Sequence, residues 1–206
     1  MRPISGYSEA TATNFNGSER LPAGGYVIRI LDVKEESTKR GGEVIILRFD
    51  IAEGEHAQFY QKQYNEASDE YKKWKGVYRL NIPQQKGNTE DDIKKYKRSL
   101  GFFKSQIEAI NKSNGINIDC AKEWEVSVLK NRTVGMVFGN KEWEMDGKSG
   151  WFTNPDHMLT VEEIREGKFK IPADKPLDKN KTNTTATSSS VPDGFDELAD
   201  NAPVPF

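Results

Sequence analysis

With 206 residues, the chain is long enough for one domain with a good core, or for one domain plus tails. Hydrophobic residues make up 35% and charged residues 30%, the balance of a folded body with polar extensions; no apolar run approaches the roughly 18 residues of a membrane span, so no membrane partner is expected. A net charge of −2 gives the whole chain no nucleic-acid signature, and the single cysteine, Cys120, rules out an intrachain disulfide and fits a reducing compartment.

Residues 1–22, rich in Ser, Thr, Asn and Gly, read as an N-terminal arm without the apolar core of a secretion signal, so a cytoplasmic location is expected. Two strong strand patterns follow at 25–35 and 43–53, with "STKRGG" as the turn between them, and a weaker one at 56–64. In the second strand Ile45, Leu47, Phe49 and Ile51 share one face at period two, while Arg48 and Asp50 point the other way. One face is expected to be buried and the other wetter, as in an antiparallel sheet or small barrel. Residues 67–76 read as a short helix and 77–83 as extended chain ending at Pro83.

From Thr89 to Asn111 the pattern is helical: Thr89 caps, Glu90, Asp91 and Asp92 occupy the first turn, and Ile93, Tyr96, Leu100, Phe103, Ile107 and Ile110 form one apolar stripe. Strand patterns return at 125–130, 133–145 and 150–153 with a continuation toward 159, and "MDGKSG" is the hairpin turn between the latter two. Residues 160–167 hold a capped helical turn, with Thr160 as the cap and Glu163 three residues on. From about 173 the composition turns to Ser, Thr, Asn and Pro, which predicts a disordered linker. Three strands, helical material, then two or three strands is the order of an OB barrel, whose helix follows strand three. The expected fold is therefore mainly β with inserted helices: an OB-like five-stranded barrel over 23–172, plus a disordered tail over 173–206.

A search for catalytic chemistry finds little. His56 and His157 are far apart in sequence, no Cys or His cluster has metal-ligand spacing, and "GKSG" belongs to a hairpin rather than a strand-to-helix phosphate loop. Asp50, Glu53 and Glu55 offer the one candidate Mg²⁺ set, yet acids at a strand exit are usually a solvated edge. No enzyme activity, cofactor or metal is expected.

Binding chemistry is richer. In "HAQFYQKQY", read as a strand, Tyr60, Lys62 and Tyr64 share a face, and Arg29 and Arg48 come from the two preceding strands. "EYKKWKGVYRLNIPQQK" interleaves Trp74 and Tyr78 with Lys72, Lys73, Lys75 and Arg79, and "GNKEWEMDGKSGWF" offers Lys141, Trp143, Lys148 and Trp151 around a hairpin. Rings that stack on bases, alternating with cations that neutralise phosphates, are the language of single-stranded nucleic-acid binding. The blander assignment is core packing, which takes Phe49, Phe59, Phe102, Phe103, Trp124 and Phe138.

The charge is divided along the chain. Residues 173–206 carry three lysines against six acids, which leaves residues 1–172 at +1. The last stretch, "DGFDELADNAPVPF", sets Asp193, Phe195, Asp196, Glu197 and Asp200 ahead of Pro205 and Phe206. On a flexible tether such a tip reads as bait for protein partners, with its apolar ring entering a pocket and its acids meeting a basic rim.

A slightly basic, aromatic-rich β body, a linker and an acidic tip ending in Pro-Phe together resemble bacterial and phage single-stranded DNA-binding proteins. The tip departs from their pattern in that "NAPV" separates Asp200 from Pro205-Phe206. The body is similar to an uncharacterised replication-module family of Firmicutes phages and mobile elements, through "LPAGGYVIRILDVKEE", "YKRSLGFFKSQIEAINKSN", "VGMVFGNKEWEMDGKSGWFTNP" and "VEEIREGKFKIPADKPL". The resemblance implies sequence-tolerant binding of single-stranded DNA during replication or recombination, in the cytoplasm of a bacterial host. It also implies recruitment of replication or recombination proteins by the tip. The strand edges are too polar to set an oligomeric state, so a homo-oligomer stays open. A non-DNA-binding adaptor and a Mg²⁺-dependent nuclease are the alternatives.

Overall fold

A computed structural model describes residues 20–39, 41–67, 72–145 and 147–177. Its five strands are β1 (Gly24–Ser37), β2 (Glu43–Ile51), β3 (Val77–Ile82), β4 (Thr133–Met145) and β5 (Lys148–Leu159). They form one antiparallel sheet in the order β3-β2-β1-β4-β5. Helix α1 (Phe59–Glu66) follows β2, α2 (Glu90–Asn114) lies between β3 and β4, and α3 (Val161–Arg165) follows β5. The fold is mainly β and OB-like, with the helix after the third strand. Among the described residues no helix is long and apolar enough to cross a membrane.

The sheet does not close into a barrel. The edge strands β3 and β5 do not pair. Gln106 of α2, buried to 1% exposure, spans the gap instead: its Oε1 accepts from the Met158 backbone N–H at 2.6 Å and from the Tyr78 hydroxyl at 3.4 Å. The same hydroxyl reaches the Asp156 carbonyl at 3.3 Å. One side-chain amide thus ties a helix and both sheet edges together.

The core lies between the sheet and α2, where Ile28, Ile30, Ile45, Leu47, Phe49, Leu80, Met136 and Phe138 meet Phe103, Ile107 and Ile110. Tyr26, His56, Phe59, Tyr60, Phe49 and Phe138 close a cycle of edge-to-face contacts with centroids 5.3–6.2 Å apart. A smaller cluster on the opposite sheet face packs Val27 and Val137 against Val161 and Ile164 of α3. Gly135 admits α3: a Cβ there would lie 2.4 Å from Ile164 and 2.7 Å from the Thr160 carbonyl. Both predicted caps form, Thr89 accepting from the Asp92 N–H and Thr160 making a full capping box with Glu163.

Several elements differ from the sequence expectation. Residues 59–66, which overlap the expected strand at 56–64, are helical, and 72–76, within the expected helix at 67–76, have no regular secondary structure. Residues 126–129, expected as a strand, form a 3₁₀ turn. On β2 the expected wetter face is largely buried too, including Val44, Ile46 and Asp50. Their cross-strand neighbours Lys34, Glu36 and Arg79 have long side chains whose stems can cover apolar surface. Phe102, assigned to packing, is 46% exposed: its neighbour Phe103 takes the inward side of α2 and leaves Phe102 on the outer one.

Residues 173–177, grouped with the tail by composition, run alongside β4. The Lys175 N–H donates to Asn140, its carbonyl accepts from the Glu142 N–H, and the Leu177 N–H reaches the Glu142 carboxylate. Lys175 Nζ closes this latch on Asp156 at 2.7 Å, and His157 Nδ1 holds the second carboxylate oxygen at 2.9 Å. Burial alone would raise the Asp156 pKa, but the hydrogen bonds and charges of Lys175 and His157 outweigh it and hold the carboxyl below its ordinary 3.8. The latch therefore contributes fully above 3.8 and is lost as pH falls through the lower, folded value. Asp156→Asn should open it at neutral pH, seen as lost hydrogen-exchange protection at the Lys175 and Glu142 amides; unchanged protection would show that backbone pairing alone holds the segment.

Candidate nucleic-acid interface

Helix α1 is positioned from a distance. Its N-cap residue, Gln58, takes a left-handed backbone (φ 60°) and supplies no side-chain cap. The cap comes from β2: Asp50 Oδ1 accepts from the Tyr60 N–H at 2.9 Å and Oδ2 from the Gln61 N–H at 3.0 Å, while Oδ1 also takes the Ile51 N–H at 2.8 Å. Burial raises the Asp50 pKa above the ordinary carboxylate value, against the pull of these three donors and of Lys62. Of the candidate Mg²⁺ set, Asp50 is thus engaged by helix N–H groups and Glu53 pairs with Arg165.

The helical conformation re-sorts the predicted ring residues. Tyr60 is buried against Phe49 and Phe59, and its phenol is pushed well above its ordinary pKa by burial. It is core, not a stacking surface. Tyr78 is also core: it pairs with Leu47, and its hydroxyl belongs to the Gln106 seam. The alternation of Tyr78, Leu80 and Ile82 at period two was the available signal for this. Tyr64, one helical turn after Tyr60, stays half-buried, and Lys62 is exposed on the same helix.

Tyr64 joins a mixed array of rings and cations. Arg48 Cζ lies 5.4 Å over the Trp74 ring, Trp74 and Tyr64 have centroids 5.8 Å apart at 50°, and Lys72 Nζ lies 5.2 Å over Tyr64. The order is Arg48–Trp74–Tyr64–Lys72, drawn from β2, the segment before β3, and α1. The indole is pinned: Nε1 donates to the carbonyls of Phe49 (3.1 Å) and Gly76 (3.2 Å). Gly76, which sequence reasoning overlooked, makes the approach feasible, since a Cβ there would lie 2.2 Å from the Phe49 carbonyl oxygen. Lys73 and Lys75 are exposed beside Trp74.

Strand register places the other predicted cations. Residues paired across an antiparallel ladder project to the same side. Arg29 pairs with Asp50, Arg48 with Val77, and Arg79 with Ile46, so all three arginines lie on the sheet face opposite α2. On β4 the odd positions share that face, where Trp143 pairs with Gly150, Lys141 with Phe152 and Met145 with Lys148. Lys141 Nζ lies 5.9 Å over the Phe152 ring, and the Trp143 indole covers Gly150 within 2.9–3.1 Å of a Cβ position there. Trp151 pairs with Glu142 on the other side of the hairpin, 39% exposed, and so is separated from Lys141, Trp143 and Lys148. Acids are interspersed: Asp32 pairs with Lys130 and Glu36 with Lys34.

The predicted tip residues Asp193, Phe195, Asp196, Glu197, Asp200, Pro205 and Phe206 lie outside the described residues. The last described residue, Leu177, is held next to the β4–β5 hairpin. No protein-family model matches the chain, and no curated protein matches it.

Proposed function

We propose that the protein binds single-stranded DNA with little sequence preference, in phage or mobile-element replication or recombination. The observation that carries this reading is the Arg48–Trp74–Tyr64–Lys72 array, on a sheet face that also presents Arg29, Arg79, Lys141 and Lys148. Cations held over rings suit the anionic backbone of an unpaired strand, and Trp143 between Lys141 and Lys148 on the same face offers a ring to its exposed bases. The OB-like strand order is compatible but hosts many functions, so the argument rests on the side chains. The acidic segment 193–200 is the recruiting element of the same proposal.

Titration of dye-labelled oligo-dT at low salt tests it. The expected result is a rise in anisotropy with quenching of tryptophan fluorescence, weakening steeply as salt is added. Removing residues 178–206 should leave this affinity unchanged or slightly higher, because the removed segment is acidic. If neither anisotropy nor fluorescence responds at low salt, the reading is wrong, and partner capture that depends on 193–206 would then favour an adaptor.

A further inference from the structure

We propose that the Arg48–Trp74–Tyr64–Lys72 array grips the phosphate backbone and does not stack bases, an inference that rests on the single-stranded DNA reading above. Both rings are already engaged. Each has a cation over it, at 5.4 Å on Trp74 and 5.2 Å on Tyr64, and each touches the other ring. The indole cannot turn to meet a base without giving up its hydrogen bonds to Phe49 and Gly76. A base stacking here must first displace a cation–π contact and free a pinned ring, which offsets much of what stacking would gain.

The cations gain from the same arrangement. A guanidinium laid on a ring has already lost much of its side-chain freedom, so less is lost when it closes on a phosphate. The rings are then supports that aim charge at the strand. Exposed Lys62, Lys73 and Lys75 on the flanking segments extend the cationic track. Base stacking falls to the hairpin, where Trp143 sits between Lys141 and Lys148 on the same face, with its indole resting on Gly150.

The test compares oligo-dT with an abasic deoxyribose-phosphate oligomer of the same length, on the full chain, across a salt series. For the double variant R48M/K72M the slope of log K against log salt should fall by about 1.4, two single-strand phosphate contacts at about 0.7 each. The fold-loss of affinity should be equal on the two oligomers. The charge-conserving R48K/K72R variant should keep the wild-type slope, and urea midpoints establish that both variants fold. A loss confined to oligo-dT with an unchanged slope would mean that the two cations contact bases and not phosphates, which overturns the inference and leaves DNA binding standing. Wild-type affinity and slope in R48M/K72M would place the grip elsewhere and overturn it too. Failure of the wild type to bind oligo-dT at all would instead overturn the underlying reading.

Discussion

A Gly76→Ala variant will be less stable than the wild type by about 3 kcal/mol. The added methyl would lie 2.2 Å from the Phe49 carbonyl oxygen and 2.8 Å from the Tyr60 ring. Neither neighbour can yield cheaply: one is backbone in a strand paired on both sides, and the other is a buried ring in the core cycle. The Phe49 N–H also donates to the Gly76 carbonyl at 2.8 Å, so moving the chain aside breaks the start of the β2–β3 pairing. Because Trp74 is anchored on the same two carbonyls, the array is displaced with it and oligo-dT affinity should fall in the folded fraction. A lower urea midpoint at unchanged m-value is the expected readout. Gly101→Ala is the control: nothing lies within 4 Å of its Cβ position on α2, and the change should be neutral or stabilising by up to about 1 kcal/mol. Equal midpoints for Gly76→Ala and the wild type would show that the segment before β3 is not held as described.

Asp50→Ala should cost about 2–3 kcal/mol, the combined loss of a helix cap and of buried hydrogen bonds. The variant leaves the N–H groups of Ile51, Tyr60 and Gln61 without their acceptor at a buried helix start. The pH dependence carries a sign. Burial raises the Asp50 pKa, so the folded chain holds that proton more tightly than the unfolded one. Asp50's contribution is therefore greatest below the unfolded value of 3.8 and declines as pH rises through the folded pKa. The stability gap between wild type and Asp50→Ala should narrow from pH 4 to pH 8 in parallel urea titrations. The same variant separates a structural from a hydrolytic role: a stable Asp50→Ala protein that had lost Mg²⁺-dependent cleavage of labelled single strands would revive the nuclease alternative.

Strand period carried most of the fold. The expected strand at 133–145 coincides with β4, and Thr89 and Thr160 cap as their spacing predicts, because these signals are local. The failures are cases where a distant group decides. Residues 59–66 put Tyr60, Lys62 and Tyr64 on one face when read as a strand, yet a carboxylate ten residues before Tyr60 supplies the helix cap. Val126 and Val128 alternate with polar neighbours, yet four residues there tighten into a 3₁₀ turn. At the interface, composition identified the right residue types but could not tell an inward ring from an outward one. Tyr60 and Tyr78 went into the core, Trp74 and Tyr64 stayed at the surface, and register set Trp151 apart from Trp143. Gly76 and Gln106 gave no pattern at all, since their roles exist only once separate strands and a helix meet.

A closed barrel widens only by breaking a whole ladder of backbone hydrogen bonds together. Among the described residues the hydrogen bonds across the side between β3 and β5 all run through the Gln106 amide or the Tyr78 hydroxyl, whose one proton is shared between two acceptors. At about 0.5–1.5 kcal/mol for a typical bond, that side is a clasp rather than a hoop. Its width is a soft coordinate of the body, while the β3-β2-β1-β4 span that carries the arginines is stiff. Opening along that seam would leave the β1–β2 and β2–β3 ladders that carry the arginines intact.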